Sequence, residues 1–207
     1  MPNYFSKQFF IAYALITIAI ALLFLLPLLF STLNSKDNYY GLYIDKPAEN
    51  FSLTNTSGNK QGLEHLSGDY AFLMFGFTHC QEVCPLQLGN LLAMKRLVGG
   101  KPIRFVFISL DPDRDTTEVL KQYFESHGEN FLALRPESFQ ASQALAMKYH
   151  EFAYLDGQKK NDQDYVINHN GYIFLLNPEG ILKLIYTSTQ LNHEKMHEDL
   201  KKLMKNS

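Results

Sequence analysis

Twenty-two consecutive residues, Phe9 to Phe30, carry no charge: FFIAYALITIAIALLFLLPLLF. At about 1.5 Å of rise per residue, a helix of that length crosses the roughly 30 Å hydrocarbon core of a bilayer. A buried core helix would need apolar cover on every side, and the chain turns polar from Asn34 to Asn38 before any domain can begin. A cleavable signal peptide is the other alternative. Its apolar region usually runs about 7–15 residues and closes at a small-x-small site, whereas here Leu28-Leu29-Phe30 leads straight into Ser31. The run therefore reads as a retained transmembrane anchor over residues 9–33, with residues 1–8 as a short N-terminus. Lys7 precedes the span, and the positive-inside tendency then leaves residues 1–8 in the cytoplasm and sends the rest across; Lys36 pulls the other way. The leader lacks the Arg-rich, Ser-rich amphipathic pattern of an organelle transit peptide. The expected setting is a bacterial inner membrane, crossed once, with the remaining chain in the periplasm.

Beyond the anchor the chain is long enough for one domain with a real core. Residues 34–48 read as a linker and 49–207 as the domain. The net charge of −2 offers no broad basic face, which argues against nucleic acid as a partner. Two cysteines cannot form the disulfide framework of a small secreted domain, so they count as a pair or not at all.

Asn50-Phe51-Ser52-Leu53, alternating polar and apolar before Thr56-Ser57-Gly58-Asn59, reads as the first arm of an N-terminal β-hairpin. Ala71–Phe75 and Ile103–Leu110 are continuous apolar runs of strand length, suited to central positions in a sheet. Between them Leu86–Leu97 carries a helical repeat, with Pro85 able to open it. A cap at Asp115-Thr116-Thr117-Glu118 predicts a helix to His127, stopped by Gly128. Further helices are predicted over Phe139–Tyr149 and His193–Lys205. Tyr172–Leu176 and Leu182–Tyr186 flank the turn Asn177-Pro178-Glu179-Gly180 and should pair as a hairpin. The order β–α–β–α–β–β–α predicts an α/β fold, a mixed sheet with helices on both faces.

The chemistry concentrates in Cys80-Gln81-Glu82-Val83-Cys84-Pro85, between a buried strand and a helix. Amides and dipole at a helix N-terminus favour a thiolate, the reactive and metal-binding form of cysteine. Two such sulfurs can bridge as a disulfide or share one soft ion, Cu(I) or zinc. They can also be no more than small buried hydrophobes. A third ligand has to come from elsewhere. His169, in Asn168-His169-Asn170-Gly171 just before an apolar strand, is the best-placed histidine, although a lone loop histidine is more often a solvated surface residue. His79 adjoins Cys80 and could tune or replace a ligand. His193 and His197, four apart on the last helix, have no acidic or cysteine companion and read as a solvated face.

The segment Phe75-Gly76-Phe77-Thr78-His79-Cys80 through Cys84-Pro85 resembles the copper motif of the SCO/SenC family of cytochrome oxidase assembly proteins. Ser109-Leu110-Asp111-Pro112-Asp113-Arg114-Asp115-Thr116 resembles the family's Ser-x-Asp-Pro-x-Arg-Asp-Thr stretch, and Asp164-Tyr165-Val166-Ile167-Asn168-His169 resembles the stretch that supplies its histidine. Gln81-Glu82 stands where the family often has Pro-Asp, and Asn168 where Asp is common. The resemblance implies a thioredoxin-like fold and one copper ion, Cu(I) or Cu(II), on Cys80, Cys84 and His169. It also implies a metallochaperone rather than an enzyme, delivering copper to the copper-bearing subunit of cytochrome c oxidase, with a thiol reductant as a possible second partner. The Asp111–Asp115 stretch also has a plain reading, a strand end followed by a helix cap, in which Arg114 pairs with a nearby carboxylate.

A thiol-disulfide oxidoreductase would use the same two cysteines through a mixed disulfide. Three residues lie between them rather than the two usual for redox thioredoxins, and the chain has no Trp. A thiol peroxidase, the third reading, has no use for His169.

Overall fold

The computed structural model describes residues 4–34, 39–156, 165–187 and 191–206. The chain forms two compact units, Met1–Asn38 and Tyr39–Ser207.

The first unit is one helix, α1 (Tyr4–Asn34), with Pro27 inside it. Its stretch Phe9–Pro27 is long and apolar enough to cross a membrane, and none of that stretch is buried by protein. That length and composition are compatible with a single-pass membrane anchor.

The second unit is an α/β domain around one eight-stranded mixed sheet. Its strands are β1 (Leu42–Pro47), β2 (Ser52–Asn55), β3 (Lys60–Gly62), β4 (Tyr70–Gly76), β5 (Ile103–Ser109), β6 (Phe131–Arg135), β9 (Ile173–Leu176) and β10 (Ile181–Tyr186). Their spatial order is β1-β10-β9-β4-β5-β6-β2-β3. The central strands β4, β5 and β6 run parallel, and the others are antiparallel to their neighbours. β4 is buried at all seven positions, as its unbroken apolar run requires for a strand covered on both faces. A separate two-stranded ribbon, β7 (Ala153–Asp156) with β8 (Val166–His169), stands apart from the large sheet.

Four helices cover the sheet: α2 (Val83–Val98), α3 (Thr117–Phe124), α4 (Phe139–Lys148) and α5 (His193–Asn206). One core, on the α4 side, gathers Leu73, Phe75, Val106, Ile108, Tyr149 and Phe174. The other, beneath α2, α3 and α5, gathers Phe72, Met74, Leu91, Met94, Phe105 and Leu200. Successive residues of β4 and β5 alternate between the two, which is the period-2 signature of a central strand.

Three expectations change. Residues 34–48, read as a linker, include β1, which pairs with β10 at the sheet edge; a bulge between Tyr43 and Lys46 breaks the alternation that would have marked a strand. The helix expected to run to His127 takes the hydroxyl cap, Thr116, which accepts from the Val119 amide at 3.3 Å, but it ends at Phe124, with a 3₁₀ turn over Glu125–His127. Asp115 is fully buried and turns elsewhere. α2 begins at Val83, so Pro85 sits within the first turn, where the amides lack helical partners in any case.

Candidate metal centre

β4 ends at Gly76, and the chain then turns through 77–82 into α2. The Cys80 amide donates to the Phe77 carbonyl at 3.1 Å, closing this turn. Cys84, in the first turn of α2, is buried, and its sulfur lies over the end of β4. A Cβ on Gly76 would come within 2.7 Å of that sulfur, so only glycine leaves the space. Cys80 is half-buried.

His169 is the last residue of β8 and pairs with Ala153 of β7. Its ring is 2% exposed and meets Phe77 edge-on at 5.7 Å between centroids. Its Nε2 lies 3.3 Å from the Cys84 sulfur and 3.6 Å from the Cys80 sulfur. The three ligand atoms all fall within 4.8 Å of one another, and among the described residues this is the one such group of three or more His, Cys, Asp or Glu side chains. Sulfur about 2.3 Å and nitrogen about 2.0 Å from a shared ion place ligand atoms roughly 3.5–4 Å apart, so the three converge at metal-binding separations. Two soft thiolates with one imidazole suit Cu(I), and suit zinc as well.

The sulfurs are electronically unlike. The Cys84 thiol donates to Cys80, and this bond, with help from His169, holds the Cys80 pKa down at about 3 against the opposing effect of burial. Cys84 moves strongly the other way, because it keeps the shared proton and is buried beside a thiolate. The pair therefore holds one thiolate, at Cys80, ready for a soft ion.

Two fully buried polar side chains position the histidine turn. Glu151 accepts from the amides of Asn170, Gly171 and Tyr172 at 2.5, 3.0 and 2.9 Å. Its Oε1 stands 3.8 Å from His169 Nδ1, too far for a hydrogen bond, while Nε2 is the ring nitrogen that faces the two sulfurs. Burial raises the Glu151 pKa, partly offset by the three amides and His169. Gln87, from α2, donates to the Gly171 carbonyl at 2.8 Å.

The Asp111–Asp115 stretch ties both ligand-bearing segments together, which goes beyond the strand-end reading. Asp115 accepts from the Thr78 hydroxyl at 2.5 Å, the Thr78 amide at 3.2 Å and the Ser109 hydroxyl at 2.7 Å. Asp111 accepts from Arg114 Nε and from the Tyr165 hydroxyl. Arg114 also donates to the Tyr165 carbonyl at 3.1 Å, stacks 3.8 Å over the Tyr165 ring and lies 5.8 Å from the centroid of Phe77. One short segment thus grips residue 78, two before Cys80, and residue 165, four before His169.

His79 is exposed, bonds to the Thr78 hydroxyl and is no part of the group. His193 and His197 lie on α5, also outside it. Asp164 lies outside the described residues. Nothing in the sequence marks Glu151, since an acidic residue after a helix looks like surface. Gln87 carries a faint signal, because it stands three residues after Cys84 among the inward positions of α2.

Comparison with known proteins agrees with this geometry. The SCO1/SenC family model matches residues 45–205. The human mitochondrial SCO2 homolog is 34% identical over 140 residues, 66% of this chain and 52% of the relative; the SCO2-like protein of Rickettsia prowazekii is 30% identical over 132 residues, 63% of this chain and 64% of the relative. The chain thus spans between half and two thirds of those relatives' length. Among solved structures, the Bradyrhizobium japonicum ScoI with copper bound superposes with a TM-score of 0.65 at 27% identity, covering 75% of this chain and 98% of that one. Apo Sco1 of Thermus thermophilus gives 0.68 at 26% identity, covering 80% and 97%. By its family-model match across most of its length, this chain belongs to the SCO1/SenC family.

Proposed function

We propose that the chain is a copper metallochaperone, which binds one ion through Cys80, Cys84 and His169 and passes it to the copper-bearing subunit of cytochrome c oxidase. The convergence of two sulfurs and one imidazole nitrogen within 4.8 Å carries this reading. Structures of Arabidopsis thaliana ScoI and Bradyrhizobium japonicum ScoI, solved with copper bound, support it. In this reading α1 anchors the protein in a bacterial inner membrane, and the domain works on the periplasmic side. Copper is cargo here, so the site has to bind tightly and still release; an open three-ligand site suits that need.

The test is an anaerobic titration of the reduced full-length protein in detergent with Cu(I) against a competing chelator. One ion per chain, with tight binding lost in His169→Ala, Cys80→Ser and Cys84→Ser, is the expected result. Unchanged affinity in His169→Ala would sink the ligand assignment.

A second reading, thiol-disulfide exchange, is favoured by the placing of the sulfurs: a half-buried Cys80, its pKa lowered by the Cys84 thiol, beside a buried Cys84 suits an attacking and a resolving cysteine. His169→Ala separates the two, because exchange needs only the sulfurs.

A further inference from the structure

The chain enters the domain through a rigid clamp. Asp199 of α5 accepts from the Tyr40 amide at 3.0 Å and the Gly41 amide at 2.9 Å. Tyr40 in turn accepts at its hydroxyl from the Asn192 amide at 3.2 Å, and Gly41 fits against the Tyr186 ring with no room for a Cβ. Around the clamp lies an exposed aromatic edge. Tyr39 and Tyr43 stack at 5.4 Å and 7°, while Tyr40, Leu42 and Tyr43 are 37%, 58% and 39% exposed. Each tyrosine ring has an ammonium group near its centroid: Lys202 at 5.8 Å on Tyr39, Lys195 at 5.4 Å on Tyr40, and Lys183 at 5.4 Å on Tyr43. Lys183 also pairs with Asp45 at 2.5 Å, and the half-exposed Lys202 stands 3.8 Å from Asp199.

We propose that this edge, centred on Tyr40, Leu42, Tyr43, Lys195 and Lys202, docks on the surface of the bilayer that holds the anchor, with tyrosines at headgroup level and lysines on anionic lipid phosphates. The proposal rests on the reading of Phe9–Pro27 as a membrane span. Only five peptide steps separate Asn34 from Tyr39, which limits that stretch to about 18 Å at full extension. With Phe9–Pro27 spanning the hydrocarbon, residues 28–38 are a short tether that keeps the clamp close to the bilayer. Rings with an apolar body and a polar tip, beside cations, are the composition that membrane interfaces take up. Among the described residues β1 is the terminal strand on this side of the sheet, and a headgroup layer supplies polar partners for such an edge.

The chain has no tryptophan, so single Trp variants report one position each. Full-length protein carrying Tyr43→Trp, Tyr154→Trp or Phe24→Trp is reconstituted into phosphatidylcholine–phosphatidylglycerol vesicles. Quenching is then read with lipids brominated near the glycerol or deep in the chain. Tyr154 is an exposed control on β7. The proposal expects Tyr43→Trp to be quenched and blue-shifted by shallow bromine while Tyr154→Trp is not, and expects Leu42→Asp with Lys195→Glu to release that quenching. Deep quenching of Phe24→Trp without any at Tyr43→Trp would show an inserted span and overturn the docking alone. Absence of quenching at Phe24→Trp would overturn the span and the docking together. Quenching at Tyr43→Trp that survives Leu42→Asp with Lys195→Glu would overturn the assignment of Leu42 and Lys195 as the groups that hold this edge on the bilayer.

Discussion

Val83 and Gly171 share one space: a Cβ built on Gly171 would stand 2.4 Å from Val83 Cγ2. Val83 begins the helix that carries Cys84, and Gly171 closes the turn that carries His169, so this fit sets how near the two ligand segments come. Gly171 also sits at φ +72°, a conformation costing an L side chain about 1–2 kcal/mol. Gly171→Ala is therefore expected to weaken Cu(I) binding tenfold or more, since about 1.4 kcal/mol is one decade. Val83→Ala in the same chain should restore part of the loss, because it removes the clash but not the backbone strain. Chelator competition on both variants checks this, and wild-type affinity in Gly171→Ala would remove the role assigned to the fit.

The single thiolate at Cys80 has a direct chemical signature. Iodoacetamide should label Cys80 in the reduced, metal-free protein at a rate that stays flat from about pH 5 to 8, where an ordinary thiol gains about a decade per unit. Cys84→Ala removes the donor that holds the Cys80 pKa near 3, and its rate should climb with pH. A steep wild-type profile would refute the asymmetry.

Glu151→Gln leaves one acceptor oxygen where three amides need two, at a cost of about 1–3 kcal/mol for each amide stranded. The pH dependence has a definite sign. Burial raises the Glu151 pKa above 4.5, so the folded chain keeps a proton that the unfolded chain has released. Its contribution to stability is then fullest below pH 4.5 and declines as pH rises through the raised value. Wild type should lose stability relative to Glu151→Gln as pH rises above 4.5 in metal-free chemical denaturation. A gap that widens with pH would reverse the assignment.

Arg114→Lys keeps the charge but loses the planar fork that reaches both Asp111 and the Tyr165 carbonyl. Losing a charge-assisted hydrogen bond costs about 1.5–3 kcal/mol. Cu(I) affinity should fall about tenfold, with the far-ultraviolet circular dichroism of the folded domain retained. If affinity holds, the segment serves stability alone.

The cysteine pair is legible in the sequence because its signal is local: two residues four apart at a strand-to-helix junction. The strands β4 and β5, helix α4 and the β9–β10 hairpin are legible for the same reason, each being a run of one periodicity between strong breakers. β6 is hidden because Phe131-Leu132-Ala133-Leu134-Arg135 is five residues without a β-branched side chain. The β7–β8 ribbon is hidden because each strand is four residues long and nine residues lie between them. Without that ribbon His169 reads as a loop residue, when it ends a strand. Glu151 and the grip of Asp115 on Thr78 depend on contacts 20 and 37 residues apart, which no local pattern encodes.

The space that Gly76 leaves for the Cys84 sulfur gives a handover its sequence. Cys84 is wedged over the end of a central strand and His169 is boxed in by Phe77 and a pinned turn, while Cys80 alone of the three reaches solvent on a short loop. An incoming ligand can displace only what it can touch. In the proposed handover, exchange would begin at Cys80 and reach Cys84 and His169 only afterwards, so the site would work as a turnstile with one outward gate.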